Sequence, residues 1–155
     1  MSIASTSSSD VDASDLSAVE LGAWRGLLRA NAGVLKALDA ELEATHGVQL
    51  TSYEVLAQLA EAPDRRMRMC DLADSVLLSR SGMSRLVDRL VREGLIERCA
   101  CSHDARGAFA CITPAGLALR EAARAAHVAG IRRRFLGRFS DVELELLGTF
   151  LQRLL

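Results

Sequence analysis

LADSVLLSRSGMSRLVDRLVREGLIER (residues 72–98), followed by CACSHDARGAFACIT (99–113) and PAG (114–116), decides the fold. Two short helical patterns broken by a tight turn open this region. A longer helix follows, with serines at its start and arginines down one side. Two strands joined by a charged turn close it. Helix, turn, second helix and β-ribbon in that order form an architecture that grips duplex DNA, the second helix entering the major groove. The fold class expected is therefore mainly α with a small β-hairpin (α+β).

On a helical wheel of residues 79–93, Met83, Leu86, Val87 and Leu90 gather on one side, the expected core face. Ser81, Arg85, Asp88 and Arg92 fall opposite, with Arg89 at their margin. Small polar residues at a helix start let its backbone approach a groove, and long forked donors reach guanine O6 and N7. Ser79, Arg80, Ser81, Ser84 and Arg85 supply both kinds, and the positive helix N-terminus attracts phosphate. An amphipathic helix with a solvated face shares this pattern, with Asp88 and Glu93 pairing with Arg92 and Arg89 for about 0.3–0.5 kcal/mol each. The flanking elements favour the DNA reading. The ribbon tip, expected over residues 104–107, offers Arg106 to a minor groove that is narrow and negative at A·T tracts. Asp104 orients that arginine, forms the turn, or does both.

Outside this region the pattern is helical. A long helix is expected from Leu16 to about Thr45, capped by Asp15 or Ser17 and ended by Gly47. Its apolar side exceeds what a small domain covers, which points to a partner subunit. Thr51 and Glu54 resemble a capping box for a second helix reaching about Leu59. Pro63-Asp64 marks a turn, and Met69 to Ser75 a short third helix. Strands are expected from Leu95 to Cys101 and Ala108 to Thr113. Thr113-Pro114 opens a fifth helix to about Arg138. Ser140 and Glu143 form another capping box, for a last helix to Leu155.

Composition narrows the class. The net charge is −1, so the whole molecule is not a basic glue for nucleic acid. Residues 64–106, however, carry nine arginines against seven carboxylates, a mild positive bias over the proposed reading unit. Half the residues are apolar but only 4% aromatic, which gives a core of Leu, Ala and Val. Basic residues are arginines apart from Lys36, a bias that a GC-rich genome also produces. No apolar stretch is long enough to span a bilayer, so no membrane is expected. The start, MSIASTSSSDVDASD, lacks the basic and apolar parts of a signal peptide and reads as a disordered Ser-rich arm. A cytoplasmic, nucleoid-associated protein follows, with its four cysteines reduced by default. No Ser-His-Asp or Cys-His set and no Gly-rich phosphate loop is present, so neither an enzyme nor a cofactor is expected.

Taken together, LADSVLLSRSGMSRLVDRLVREGLIER, the DARG turn with its Asp-x-Arg pair and ITPAG before a long helix resemble the MarR family of winged helix-turn-helix transcription regulators. The similarity runs over residues 16–155. It implies a homodimer whose N- and C-terminal helices interlock, and two winged units that read the halves of a near-palindromic operator. It divides the chain into an arm (1–15), an N-terminal dimerisation helix (16–48), a DNA-binding region (49–113) and C-terminal dimerisation helices (114–155). By resemblance Ser79, Arg80, Ser81, Ser84 and Arg85 go to the major groove or flanking phosphates, with Arg89 beside them. Arg106 goes to the minor groove, supported by Asp104. The family implies a repressor, often released by a small phenolic or other anionic effector; Trp24 is a candidate for lining that site, and an aromatic of the dimer core is the simpler reading of it. FACIT stands where many members have a more basic wing strand.

Cys99, Cys101 and His103 share one face of a strand. With the hairpin centred on Ala105, Cys99 sits opposite Cys111. Three readings fit: small apolar side chains on a half-buried ribbon, a thiol switch through Cys99, Cys101 and Cys111, or a zinc site. Cys-x-Cys-x-His with one distant Cys is not a standard zinc spacing, so no metal is expected. Cys70 is expected in the core, His46 at a helix end, His127 facing the dimer interior or solvent, and Arg132 to Arg134 on a solvated face. Two other functions use the same residues: a redox- or metal-responsive sensor relying on the wing cysteines, and a winged-helix module that binds protein.

Overall fold

A computed structural model describes residues 15–76, 78–101 and 104–155, with side chains outside the description at 100, 101 and 104–108. The chain divides into two compact units, Met1–Gly33 and Val34–Leu155, and the first helix, α1 (Ala18–His46), contributes to both. In the first unit Ser17 caps α1 reciprocally with Glu20. The Glu20 amide donates to Ser17 Oγ at 3.3 Å, and the Ser17 amide donates to the Glu20 carboxylate at 2.8 Å. Those bonds hold the Glu20 carboxyl below its usual range. At the other end Gly47 takes a left-handed conformation (φ 64°), as a helix terminator does.

The second unit continues with α2 (Leu50–Glu61), α3 (Met69–Ser75) and α4 (Arg80–Arg92). After them come β2 (Ile96–Cys101), β3 (Asp104–Ile112), α5 (Pro114–Arg134) and α6 (Asp141–Gln152). A further strand, β1 (Arg66–Arg68), precedes α3 and was not foreseen; three residues are too short to show an alternating pattern. The sheet is antiparallel in the order β1-β3-β2, pairing Arg68 with Phe109 and Ile96 with Ile112. Before β1, Asp64 and Arg65 both take positive φ (53° and 55°) in the turn that Pro63 begins.

Three expectations need correction. The Thr51–Glu54 capping box does not form: α2 begins at Leu50, and Asp39 of α1 accepts the Leu50 amide at 2.7 Å. Capping from a neighbouring helix leaves no sign in the local sequence. β3 begins at Asp104, not Ala108, so residues 104–107 belong to a strand and not to the hairpin turn. Finally α5 stops at Arg134, where Phe135 leaves helical geometry, and Leu136–Arg138 forms a separate 3-10 turn. The expected Ser140–Glu143 box is present and opens α6.

Two cores result. Leu56, Leu59, Leu72, Met83, Val87 and Leu90 pack with Ile96 and Ile112 beneath the sheet. Leu38, Leu42, Val48, Leu50 and Tyr53 pack with Ala123, joining the second half of α1 to α2 and α5. Thr113 accepts the Gly116 amide at 3.1 Å and donates to the Gly94 carbonyl at 2.7 Å, tying the start of α5 to the end of the α4 turn. Arg133 and Arg134 are not simply solvated. Both donate to the Glu41 carboxylate, at 2.8 and 2.9 Å, and hold its pKa down.

Candidate nucleic-acid interface

The amphipathic pattern of α4 sorts its side chains as the wheel implies. Met83, Leu86, Val87 and Leu90 are buried, which turns Arg80, Ser81, Ser84, Arg85, Asp88 and Arg92 outward. Ser79 sits at the N-cap, its Oγ accepting the Gly82 amide at 3.1 Å and lying 3.3 Å from Ser81 Oγ. The helix thus begins in a cluster of hydroxyls, with Arg85 exposed in its second turn. This end can offer hydroxyl and guanidinium donors to an anionic backbone or to base edges.

Arg89 is placed differently. Its guanidinium donates to Gln49 Oε1 at 2.7 Å and to Ser52 Oγ at 2.8 Å, and it lies 4.0 Å from Glu93. Ser52 is only 3% exposed, so this arginine ties α4 to α2 and satisfies a buried hydroxyl. Asp88 pairs with Arg98 of β2 at 2.6 Å, not with Arg92. Sequence reasoning missed Gln49, Ser52 and Arg98. The signal that was available is the short α4–β2 connection, which brings Asp88 and Arg98 together across Gly94.

On the ribbon, β2 and β3 pair as far as Cys101 with Asp104, with a register shift between Cys99 and Cys101. The side chains of Asp104, Arg106 and Cys101, together with Ser102 and His103, lie outside the described residues. Cys99 faces Phe109 and Cys111 faces Glu97, so the two cysteines are diagonal neighbours and not directly opposite. Their Cα atoms nevertheless lie 6.2 Å apart, within the span that a disulfide can bridge. Cys70, expected in the core, is exposed at the first turn of α3 beside the Asp71 carboxylate at 3.3 Å. At the base of the ribbon Arg66 and Arg68 lie over the Phe109 ring, 5.8 and 5.3 Å from its centre.

Trp24, in the first unit, is 53% exposed. Among the described residues no group of three or more His, Cys, Asp or Glu side chains is placed to hold a metal ion. None of the described helices is long and apolar enough to cross a membrane.

Comparisons with known proteins agree with this geometry. A family model described as "MarR family" matches residues 46–107, from the end of α1 into the ribbon. The fold matches AbsC, a MarR family transcriptional regulator from Streptomyces coelicolor, at 33% identity and a TM-score of 0.86, over 90% of this chain and 94% of that one. Sco3205, a MarR family regulator from the same organism solved in complex with DNA, matches at 31% identity and a TM-score of 0.86, over 90% and 88%. CouR from Rhodococcus jostii RHA1, solved bound to p-coumaroyl-CoA, matches at 29% identity and a TM-score of 0.72, over 84% and 90%. Among curated proteins none matches the sequence.

Proposed function

The chain belongs to the MarR family of transcriptional regulators, and from that premise we propose that it is a homodimeric, sequence-specific repressor of cytoplasmic, nucleoid-associated location. The observation that carries the reading is the exposed Arg80, Ser81, Ser84 and Arg85 face of α4, set above a fully packed Met83, Leu86, Val87 and Leu90 face. Burial of one side fixes which residues a groove meets. Ser79 closes the helix start, Ser81 and Ser84 give close approach, and Arg80 and Arg85 supply charge and forked donors. Arg89, held by Gln49 and Ser52, sets the angle of α4 against α2. Arg106 enters the minor groove with Asp104 orienting it. Two copies related by a two-fold axis read a near-palindromic operator and release it when a small effector binds. Likeness to Sco3205, solved with DNA, and to CouR, solved with p-coumaroyl-CoA, supports the operator and effector parts of this reading.

Selection of bound duplexes from a random pool at physiological salt tests it. The expected result is one two-fold symmetric consensus whose affinity falls steeply with salt. Equal binding to all duplexes sinks the reading and leaves a protein-interaction module in its place.

The 6.2 Å Cα separation of Cys99 and Cys111 favours a second reading alongside the first, in which the wing is redox-sensitive. Two thiols give up two electrons and two protons to a peroxide, which leaves as water, and the new bond pins β2 to β3 beside the register shift. Operator affinity is then expected to differ between protein treated with dithiothreitol and protein treated with peroxide, and the difference to vanish in Cys111→Ser. Equal affinity in both states rejects the switch.

A further inference from the structure

A cavity of about 230 Å³ opens between α2, the end of α3 and α5. Tyr53, Glu54, Gln58, Ser75, Val76 and His127 line it, and among its described lining residues Glu54 alone carries a formal charge. We infer that this cavity selects a small aromatic ligand with a cationic or hydrogen-bond-donating end, and that Glu54 sets the preference. The inference rests on the effector reading above and departs from it in one respect: it reverses the ligand charge that the family resemblance implies.

Two polar groups in the cavity lack partners. The Glu54 carboxylate makes no hydrogen bond or ion pair among the described residues, although neighbouring elements are rich in arginine. His127 Nδ1 is buried and has no partner among the described residues. Burial raises the Glu54 carboxyl and lowers the His127 imidazole, so the imidazole brings no positive charge to the cavity at neutral pH. The nearby arginines do not change the sign. Arg120 is committed to Glu61 and Glu121. Arg124 is exposed on α5 and outside the cavity lining; it and Arg120 act on the Tyr53 hydroxyl, where Glu121 and Glu61 oppose them. A carboxylate or phenolate ligand would therefore face the Glu54 carboxylate with no cation among the described lining residues. An ammonium or amide donor satisfies Glu54 instead, and a second polar atom reaches His127. The Tyr53 and His127 rings, 4.5 Å apart between centres and tilted at 46°, give an aromatic body a wall to pack on and a cation a π face.

The test uses full-length protein at neutral pH, titrated calorimetrically with benzylamine, benzyl alcohol and benzoate, which have similar size and different charge. Benzylamine is expected to bind at least about ten-fold more tightly than benzoate, with benzyl alcohol between them. Glu54→Gln is expected to abolish that charge preference. Benzoate binding as tightly as benzylamine, no binding of any of the three, or unchanged preference in Glu54→Gln would each overturn the inference. The wild-type comparison needs no variant, so the inference stays testable if Glu54→Gln does not fold. Operator release is measured in parallel. Benzylamine that binds without releasing DNA upholds the ligand class and removes the effector role from the cavity.

Discussion

Gly116 shows how one residue joins the reading unit to the helix behind it. A Cβ at this position would lie 2.1 Å from the Leu95 carbonyl oxygen and 2.9 Å from Ile112 Cγ1. That oxygen also accepts the Thr113 amide at 3.1 Å, so it is not free to move aside. Alanine is the better helix former by about 1 kcal/mol, yet overpacking against fixed backbone costs about 1–3 kcal/mol or more. Gly116→Ala is therefore expected to lower the melting temperature by several degrees, and an unchanged or raised Tm in a thermal scan contradicts the close approach. His127 carries a pH dependence whose sign follows from its burial. Its folded pKa lies below the ordinary 6.5 because desolvation opposes the charged ring. The unfolded chain then binds more protons wherever pH is below 6.5, so stability falls as pH drops from 6.5 toward the folded value and does not change through this group above it. His127→Gln should flatten urea midpoints between pH 7 and 5 relative to wild type, and equal slopes in the two proteins count against a buried neutral imidazole. Neither the Gly116 contact nor the His127 burial is visible in sequence, because each depends on an element distant along the chain.

Elements were legible where the apolar period ran long and their ends carried local chemistry. Helix α4 is the best case: its four apolar positions predicted the buried face, and Ser79 its cap, because both follow from spacing within one helix. Helix α2 is the counter-example, since its cap comes from Asp39, eleven residues back. The hairpin was placed, but its register was off by enough to set Cys99 against Phe109 in place of Cys111, since an irregularity between Cys99 and Cys101 cannot be read from alternation. The exposed polar face of α4 was legible as a set, with Arg89 at its margin. Arg85 and Arg89 are both arginines near that face, and the packing against Gln49 and Ser52 divides them. That division makes a testable pair. Arg85→Ala, at a position with no cross-element bond among the described residues, is expected to cost about 1–3 kcal/mol of operator binding with no loss of folding stability. Arg89→Ala leaves a buried hydroxyl unpaired and is expected to lower stability first, by about 1–3 kcal/mol. Electrophoretic titration beside urea unfolding separates the two effects, and operator affinity untouched by Arg85→Ala removes it from the reading face.

Among the described residues, two helices carry large apolar side chains that stand exposed. Helix α6 has no buried residue, and Val142, Leu146 and Phe150 stand exposed along it, Phe150 at 51%. In the first unit Val19, Trp24, Leu27 and Leu28 are exposed on α1 in the same way. Stable α-helices with a wide apolar face bury it against something, and the proposed second copy of the chain is the occupant that also yields a two-fold reading head. The sequence had already suggested this from the length and apolar excess of α1, since such an excess is a property of the pattern and needs no coordinates. Full burial of a Leu or Phe side chain contributes about 1.5–3 kcal/mol. Leu146→Asp or Phe150→Asp is thus expected to weaken self-association about ten- to one-hundred-fold, read by sedimentation equilibrium. Because the second half-site contact becomes intermolecular once the dimer parts, operator affinity should fall in the same variants although α4 is untouched, while binding to an isolated half-site should not change. Wild-type protein that sediments as a monomer at micromolar concentration and still selects a symmetric site would show that the pairing happens on DNA. Wild-type monomer with no symmetric site would remove the partner copy as the cover for α1 and α6.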